Sequence, residues 1–251
     1  MQLSAVLFDV DGTIAETEDL HRRSFNESFK EFNLDWFWDE AIYRELINIG
    51  DGKDRIEHHI KRAWPEMLEY KNLNKYISSI HKVKNEIFKD LIIECEIRTR
   101  PGVIRLIEEL KKHNVRIAIV SSTTQEDLMT LFKKGLELDP NSMFDLVAHG
   151  DCTKKKRPSP EIYEWILEKL RLPPQSCVAI EDSLRGARSA MNAEINVLVT
   201  PSFYTKDEVF DEAKVVVSSL GEAQQPFEVV KGNVFGNKIV NYNLLNELIN
   251  S

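Results

Sequence analysis

Short apolar runs alternate with amphipathic stretches along this chain, and that rhythm predicts an α/β fold with a parallel sheet. A long polar stretch from about Thr17 to about Ile93 breaks the rhythm and predicts a helical insert after the first strand. Carboxylates, hydroxyls and cations gather where the apolar runs stop, and in open α/β sheets the carboxyl ends of strands are where ligands bind.

Taken in order, the first strand is Ala5-Val6-Leu7-Phe8. The insert follows it. Ordinary connections between a strand and a helix take only about 2–6 residues, so a stretch of this size is expected to be a domain in its own right. Its aromatics Phe25, Phe29, Phe32, Trp36, Phe37 and Trp38 could line a ligand box, but at helical spacing they are expected to pack on one another as a small core. Past the insert, Pro101-Gly102 open a helix over residues 103–112, with Val103, Leu106, Ile107 and Leu110 on one face. Strands are expected at residues 115–120 and 144–148. A helix over 162–170 follows a proline pair and stops before Pro173-Pro174. Further strands are expected at 177–180, 195–199 and 215–217. Residues 221–251 end in a helix-like Leu244-Leu245-Asn246-Glu247-Leu248-Ile249 and carry no recognisable chemistry. The expected domains are therefore 1–16 with 94–251 as the α/β core, and 17–93 as the helical insert.

Composition excludes several classes of partner. The 33 Lys and Arg against 41 Asp and Glu leave a net charge of -8, whereas nucleic acid and anionic membranes select for a basic face. An acidic protein that binds an anion must supply local positive charge, from a metal or from placed Lys and Arg. Cys95, Cys152 and Cys177 show no metal-ligand spacing and read as reduced thiols. The first residues lack a basic region and a long apolar run, so neither a signal peptide nor a membrane span is expected there. A cytoplasmic location is expected, or the plastid stroma if a transit peptide has been removed.

The strongest chemical signal is Phe8-Asp9-Val10-Asp11-Gly12-Thr13. Alternation along an extended chain points Asp9 and Asp11 to the same side. Two carboxylates about 4 Å apart repel by roughly 4 kcal/mol at an effective dielectric of about 20, so a divalent cation or a shared proton is needed between them. Magnesium suits such oxygen ligands. Alone, the tetrad reads equally well as a turn. Partners follow it, however. Val120-Ser121-Ser122-Thr123 ends a strand in hydroxyls, a ready anion cradle or a plain helix cap. Lys154-Lys155-Lys156-Arg157 abuts the rigid Pro158-Ser159-Pro160, which holds one cation in place, and Ile180-Glu181-Asp182 ends a further strand in carboxylates. Together these make a complete set for phosphoryl transfer.

In that order and spacing, Asp9-x-Asp11-Gly12-Thr13, Ser121, Arg157 before Pro-x-Pro, and Glu181-Asp182 resemble the haloacid dehalogenase superfamily, from the first strand to about residue 200. A closer resemblance is to CbbY-type phosphatases, which remove a phosphate from xylulose 1,5-bisphosphate. It rests on Asp11-Gly12-Thr13-Ile14-Ala15-Glu16-Thr17-Glu18 and His21-Arg22-Arg23-Ser24-Phe25-Asn26. It continues through Trp36-Phe37-Trp38-Asp39, Tyr43-Arg44-Glu45-Leu46 and Gly52-Lys53-Asp54-Arg55-Ile56. The implied fold is a Rossmann-like parallel-sheet core with a helical cap inserted after the first strand. The family usually has Lys immediately before Pro-x-Pro; here Arg157 stands there, with Lys156 one residue earlier. Arg157 is the expected cation, and Lys156 the other candidate.

The resemblance implies Mg2+ held by Asp9, the Asp11 backbone carbonyl and Asp182, with Glu181 supporting them. Asp9 is the implied nucleophile, Asp11 the acid and base, and Ser121 and Arg157 the groups that hold the transferring phosphoryl oxygens. Ser122 and Lys156 are further candidates beside the phosphate. In the cap, Glu16 and His21 are expected at a sugar hydroxyl, with Gly50 and Lys53 at a distal phosphate. The implied partner is a small phosphorylated sugar, without nucleic acid or membrane, acted on by a monomer. The core motifs leave open a β-phosphoglucomutase type of transfer, in which a sugar hydroxyl replaces water. A phosphoacceptor signalling or binding module is the rival from another class, and the Asp9-x-Asp11 pair and the long insert speak against it.

Overall fold

In the computed structural model, which describes Met1–Ser251, the apolar run Ala5–Phe8 becomes β1, and all of its residues are buried. A strand that is apolar on both faces belongs inside a parallel sheet covered by helices on both sides. The other strands are β2 (Arg116–Val120), β3 (Leu146–Ala148), β4 (Cys177–Glu181), β5 (Asn196–Val199), β6 (Val215–Val217) and β7 (Val229–Lys231). They form one seven-stranded sheet in the order β3-β2-β1-β4-β5-β6-β7. Every pairing is parallel except that of β7, which runs antiparallel to β6 at the edge. This is the α/β, Rossmann-like sheet that the alternation predicts. The sequence reading did not include β7, a three-residue strand whose first two valines are exposed. So short a run in a polar stretch carries no periodicity to read.

From β1 the chain steps outward to β2 and β3, then returns to the far side of β1 with β4. The reversal places a crevice at the carboxyl ends of β1 and β4, where this class of sheet binds ligands. Phe8 is level with Ile119 on one neighbour and Ile180 on the other, so the residues that follow all three strands emerge side by side.

The chain divides into two compact units, Met1–Glu16 with Ile97–Ser251, and Thr17–Glu96. The second is all helical: α1 (Glu18–Glu31), α2 (Glu40–Leu46), α3 (Gly52–Ala63) and α4 (Leu73–Glu94). Phe25, Phe29, Trp36, Trp38 and Tyr43 are buried there, with ring centroids of Phe25 and Phe29 at 4.7 and 4.8 Å from that of Trp38. The aromatics are thus this unit's core, as their spacing predicts. Phe32 is only half-buried, packed edge-to-face against Tyr76, and Phe37 is 64 % exposed. Its neighbour Trp38 is fixed through its backbone, whose N–H and C=O are both bonded by the Asn26 side chain at 2.8 and 2.9 Å. The apolar stripe of α4 runs through Ile77, Ile80, Phe88 and Ile92, and Lys84 sits within it, only 4 % exposed. The helix carries the chain to Cys95, whose N–H bonds to Leu91 O.

The sheet is covered by α5 (Val103–Lys112), α6 (Gln125–Thr130), α7 (Pro140–Met143), α8 (Glu161–Leu170), α9 (Leu184–Asn192) and α10 (Tyr242–Leu248). Ala5, Leu7, Ala118, Val120 and Ala179 pack against Ile162, Tyr163 and Ile166 of α8 and Ala187 and Ala190 of α9. The four apolar residues expected on one face of α5 are all buried. No helix is long and apolar enough to cross a membrane.

Candidate active site

The site starts where β1 stops. Asp9 is buried, and its N–H extends the ladder to Ile180 O at 3.0 Å. The chain then winds tightly, with the N–H groups of Thr13, Ile14 and Ala15 converging on Val10 O. Gly12 makes this turn possible for two reasons. Its φ is +81°, and a Cβ there would lie 2.1 Å from Asp182 Oδ2. The glycine lets the backbone of the first motif press against the carboxylate of the last.

Arg157 is the hub. One Nη donates to Asp9 Oδ1 at 2.8 Å, and the other donates to Val120 O at 2.9 Å and lies 3.1 Å from Glu181 Oε1. Tyr163, on α8, donates its hydroxyl to the same Glu181 oxygen. Lys156 turns away instead, its Nζ donating to Gly150 O at 2.9 Å. The single guanidinium therefore ties the ends of three adjacent strands, β1, β2 and β4. Arg157 is 9 % exposed, and its Nε is buried without an acceptor. Burial pushes the Asp9 carboxyl up to about 6, against the pull of Arg157 and with the push of Asp11. Burial pushes Glu181 further, to about 8, again against Arg157 and with Asp9 adding to the rise. Burial works against the charge of Arg157, but Glu181 and Asp9 outweigh it and raise its pKa.

The Asp11 carboxylate is engaged elsewhere, accepting the Thr123 hydroxyl at 2.8 Å. Thr123 in turn donates its N–H to the buried Ser121 Oγ at 3.1 Å. Ser122, between them, is exposed. Thr123 was not among the expected site residues. Alternation would have found it, since Ser121 and Thr123 share a side of an extended chain and Ser122 does not.

Asp9, Glu181 and Asp182 bring carboxylate oxygens within 4.8 Å of one another, all of them buried. Asp11 adds a further negative charge that is felt at Asp9, while Arg157 pairs with Asp9 and Glu181. Such a set is stable only with added positive charge or bound protons, and oxygen donors of this kind fit a divalent cation of the magnesium type. Glu181 Oε1 already takes both Arg157 and Tyr163, which ties this carboxylate to the protein more closely than its neighbours in the group.

Residues 6–200 match the family described as haloacid dehalogenase-like hydrolase. The chain belongs to that family. Membership rules out the phosphoacceptor signalling module and makes the chain an enzyme, a phosphatase of the haloacid dehalogenase type. Among its relatives, Protein CbbY from Cereibacter sphaeroides is 41 % identical over 222 residues, covering 88 % of this chain and 94 % of the relative. A crystal structure of CbbY from Rhodobacter sphaeroides in complex with xylulose-(1,5)bisphosphate superposes with a TM-score of 0.77 at 39 % identity. It covers 87 % of this chain and 95 % of that one. A phosphorylated carbohydrates phosphatase from Thermotoga maritima is 28 % identical, over 77 % of this chain and 82 % of its own length.

The remaining candidates of this haloacid dehalogenase-like hydrolase are divided between its two units. Glu16 belongs to the sheet-bearing unit and is paired with Arg100, Oε1 to Nε 3.0 Å. Arg100 also donates to the carbonyls of Gly12, Thr200 and Pro201. His21, Gly50 and Lys53 belong to the helical unit. There, His21 stacks on Phe88 at 3.8 Å and receives the Lys84 ammonium on Nδ1 at 2.6 Å. The buried Lys84 fixes the tautomer of His21, because an ammonium can only donate. Gly50 precedes Asp51, whose side chain caps α3 in a capping box with Asp54, and the exposed Lys53 lies in the first turn of that helix.

Proposed function

We propose that this enzyme is a Mg2+-dependent phosphatase that hydrolyses a small sugar bisphosphate, xylulose 1,5-bisphosphate or a close analogue, through an aspartyl-phosphate on Asp9. The observation that carries the reading is the convergence of Asp9, Arg157, Glu181 and Asp182 at the switch point of the sheet. The likeness to a protein crystallised with xylulose-(1,5)bisphosphate supports the substrate.

Asp9 attacks phosphorus and carries the phosphoryl group as an acyl phosphate, which splits one slow displacement into two easier ones. Asp11 gives a proton to the departing sugar oxygen and later takes one from the attacking water. The Thr123 hydroxyl, donating to Asp11 Oδ2, helps to aim that carboxyl. Arg157 and the Ser121 hydroxyl hold the non-bridging oxygens, and the unsatisfied Nε of Arg157 is one donor available to them. Glu181 holds Arg157 rather than the substrate. The Asp9 and Asp182 carboxylates and the Asp11 backbone carbonyl would hold Mg2+, which supplies charge neutralisation between nucleophile and phosphate. In the helical unit, Lys53 is assigned to the second phosphate and His21 to a sugar hydroxyl.

The test is a panel of sugar phosphates and bisphosphates with Mg2+ and with EDTA, read as released phosphate, beside the Asp9→Asn variant. Wild type should release phosphate only with Mg2+, and folded Asp9→Asn should release none. Turnover by the folded variant would refute the covalent step. Turnover of a phosphosugar to its isomer without free phosphate would make the enzyme a mutase.

A further inference from the structure

A metal-holding carboxylate must be aimed, and a buried threonine that touches Asp182 lies outside the motifs and past the matched residues 6–200. Thr205 is fully buried in the loop after β5. Its Oγ1 lies 2.7 Å from Asp182 O and 3.2 Å from Asp182 Oδ2, donating its proton to that residue. The same oxygen accepts the N–H of Ser202 at 2.8 Å, and Ser202 Oγ lies 3.0 Å from it. The Ser202 N–H thereby holds this hydroxyl, whose proton faces Asp182, with the shorter contact to the backbone carbonyl and the longer one to the carboxylate. Asp182 Oδ2 is also the atom against which Gly12 closes. The carboxylate is therefore wedged between Gly12 and Thr205, and it brings an oxygen within 4.8 Å of those of Asp9 and Glu181.

We infer that Thr205, held by Ser202, is the positioning residue that sets the Asp182 carboxylate for Mg2+. The inference rests on the metal reading above. Outer groups that orient metal ligands are typically worth about ten- to a hundred-fold in metal affinity. A threonine at this place is not explained by core packing alone. Valine has the same shape, yet would remove the acceptor of the buried Ser202 N–H and the donor to the Asp182 carbonyl.

The experiment measures Mg2+ affinity of the whole enzyme by calorimetry, for wild type, Thr205→Val and Thr205→Ser. Thr205→Val should bind Mg2+ about ten- to a hundred-fold more weakly, and Thr205→Ser, which keeps the hydroxyl, within about threefold of wild type. In turnover assays the Val variant should need correspondingly more Mg2+ while its KM for substrate at saturating Mg2+ stays unchanged. A Val variant with wild-type Mg2+ affinity overturns the inference, whatever its melting temperature. So does a Ser variant as weak as Val. Should the Val variant fail to fold, Thr205→Ala takes its place, since it also removes the hydroxyl, and unchanged Mg2+ affinity there overturns the inference equally. A wild-type enzyme that binds no Mg2+ refutes the metal reading itself, and the inference falls with it.

Discussion

Replacing Arg157 with methionine tests the hub of the site. The guanidinium lies 2.8 Å from Asp9 and 3.1 Å from Glu181 and is 9 % exposed. At an effective dielectric of about 20 these contacts are worth roughly 6 and 5 kcal/mol of attraction, and most of that is cancelled by the cost of burying three charges. Removing one member of such a group leaves the others uncompensated and typically costs about 3–5 kcal/mol. Glu181 is already pushed up to about 8, so it can take a proton and soften the loss, which places the expected cost near the lower end. For a chain of this size about 3 kcal/mol lowers the melting temperature by roughly 6–12 °C. Arg157→Lys keeps the charge but not the fork that reaches two carboxylates, so a smaller drop is expected. Turnover of Arg157→Met should fall by about 10²–10³-fold, the usual cost of removing a donor aimed at transition-state charge. The assays are thermal melting without Mg2+ and phosphate release with it. A methionine variant that melts within about 2 °C of wild type and keeps more than about a tenth of its turnover would refute this account of Arg157.

Three further predictions follow from the same geometry. Asp11→Asn keeps the nucleophile and the Thr123 contact but loses proton transfer, so kcat should drop by about 10²–10⁴-fold; a loss under about tenfold would make Asp11 structural. Lys53→Ala should cost a bisphosphate roughly ten- to a hundred-fold in kcat/KM and its monophosphate counterpart far less, and equal losses on both would remove Lys53 from substrate selection. The third concerns pH without metal. Asp9 and Glu181 have folded pKa values raised from 3.8 to about 6 and from 4.5 to about 8, so the folded protein binds the extra protons, and stability falls as pH rises from about 4.5 to 8. Melting followed from pH 5 to 8 in EDTA should show that decline, and saturating Mg2+ should reduce it; a melting temperature that rises with pH in EDTA would contradict the sign.

What could be read from the sequence was local. Asp9, Ser121 and Glu181 each stand within a residue of the end of an apolar run, so periodicity locates the strand and the strand locates the chemistry. The helix over Val103–Lys112 was legible for the same reason, as four apolar residues repeat on one face. What escaped depends on packing between segments distant in the chain. Tyr163 reads as one more apolar-face residue of α8, and only the folded sheet brings its hydroxyl to Glu181. Thr205 lies in a loop with no periodicity, and its contact with Asp182 depends on where the chain leaves β5. Lys84 reads as a solvated charge, although α4 buries it on His21 and Phe88. Phe37 was grouped with its aromatic neighbours because spacing alone cannot tell which ring of Trp36-Phe37-Trp38 faces outward.

The place of β1 in the sheet has a consequence for synthesis. Ala5 pairs with Arg116 on one side and with Cys177 on the other, so the first strand made is flanked by strands made long after it. At about 5–20 residues per second, a ribosome needs roughly ten seconds or more to supply the second partner. Until β2 follows, both edges of this apolar strand are open, and one stays open until β4, while the all-helical segment behind it can close locally on its own aromatic core. Substitutions that slow translation before Cys177 or weaken chaperone capture should therefore lower soluble yield without altering the finished enzyme.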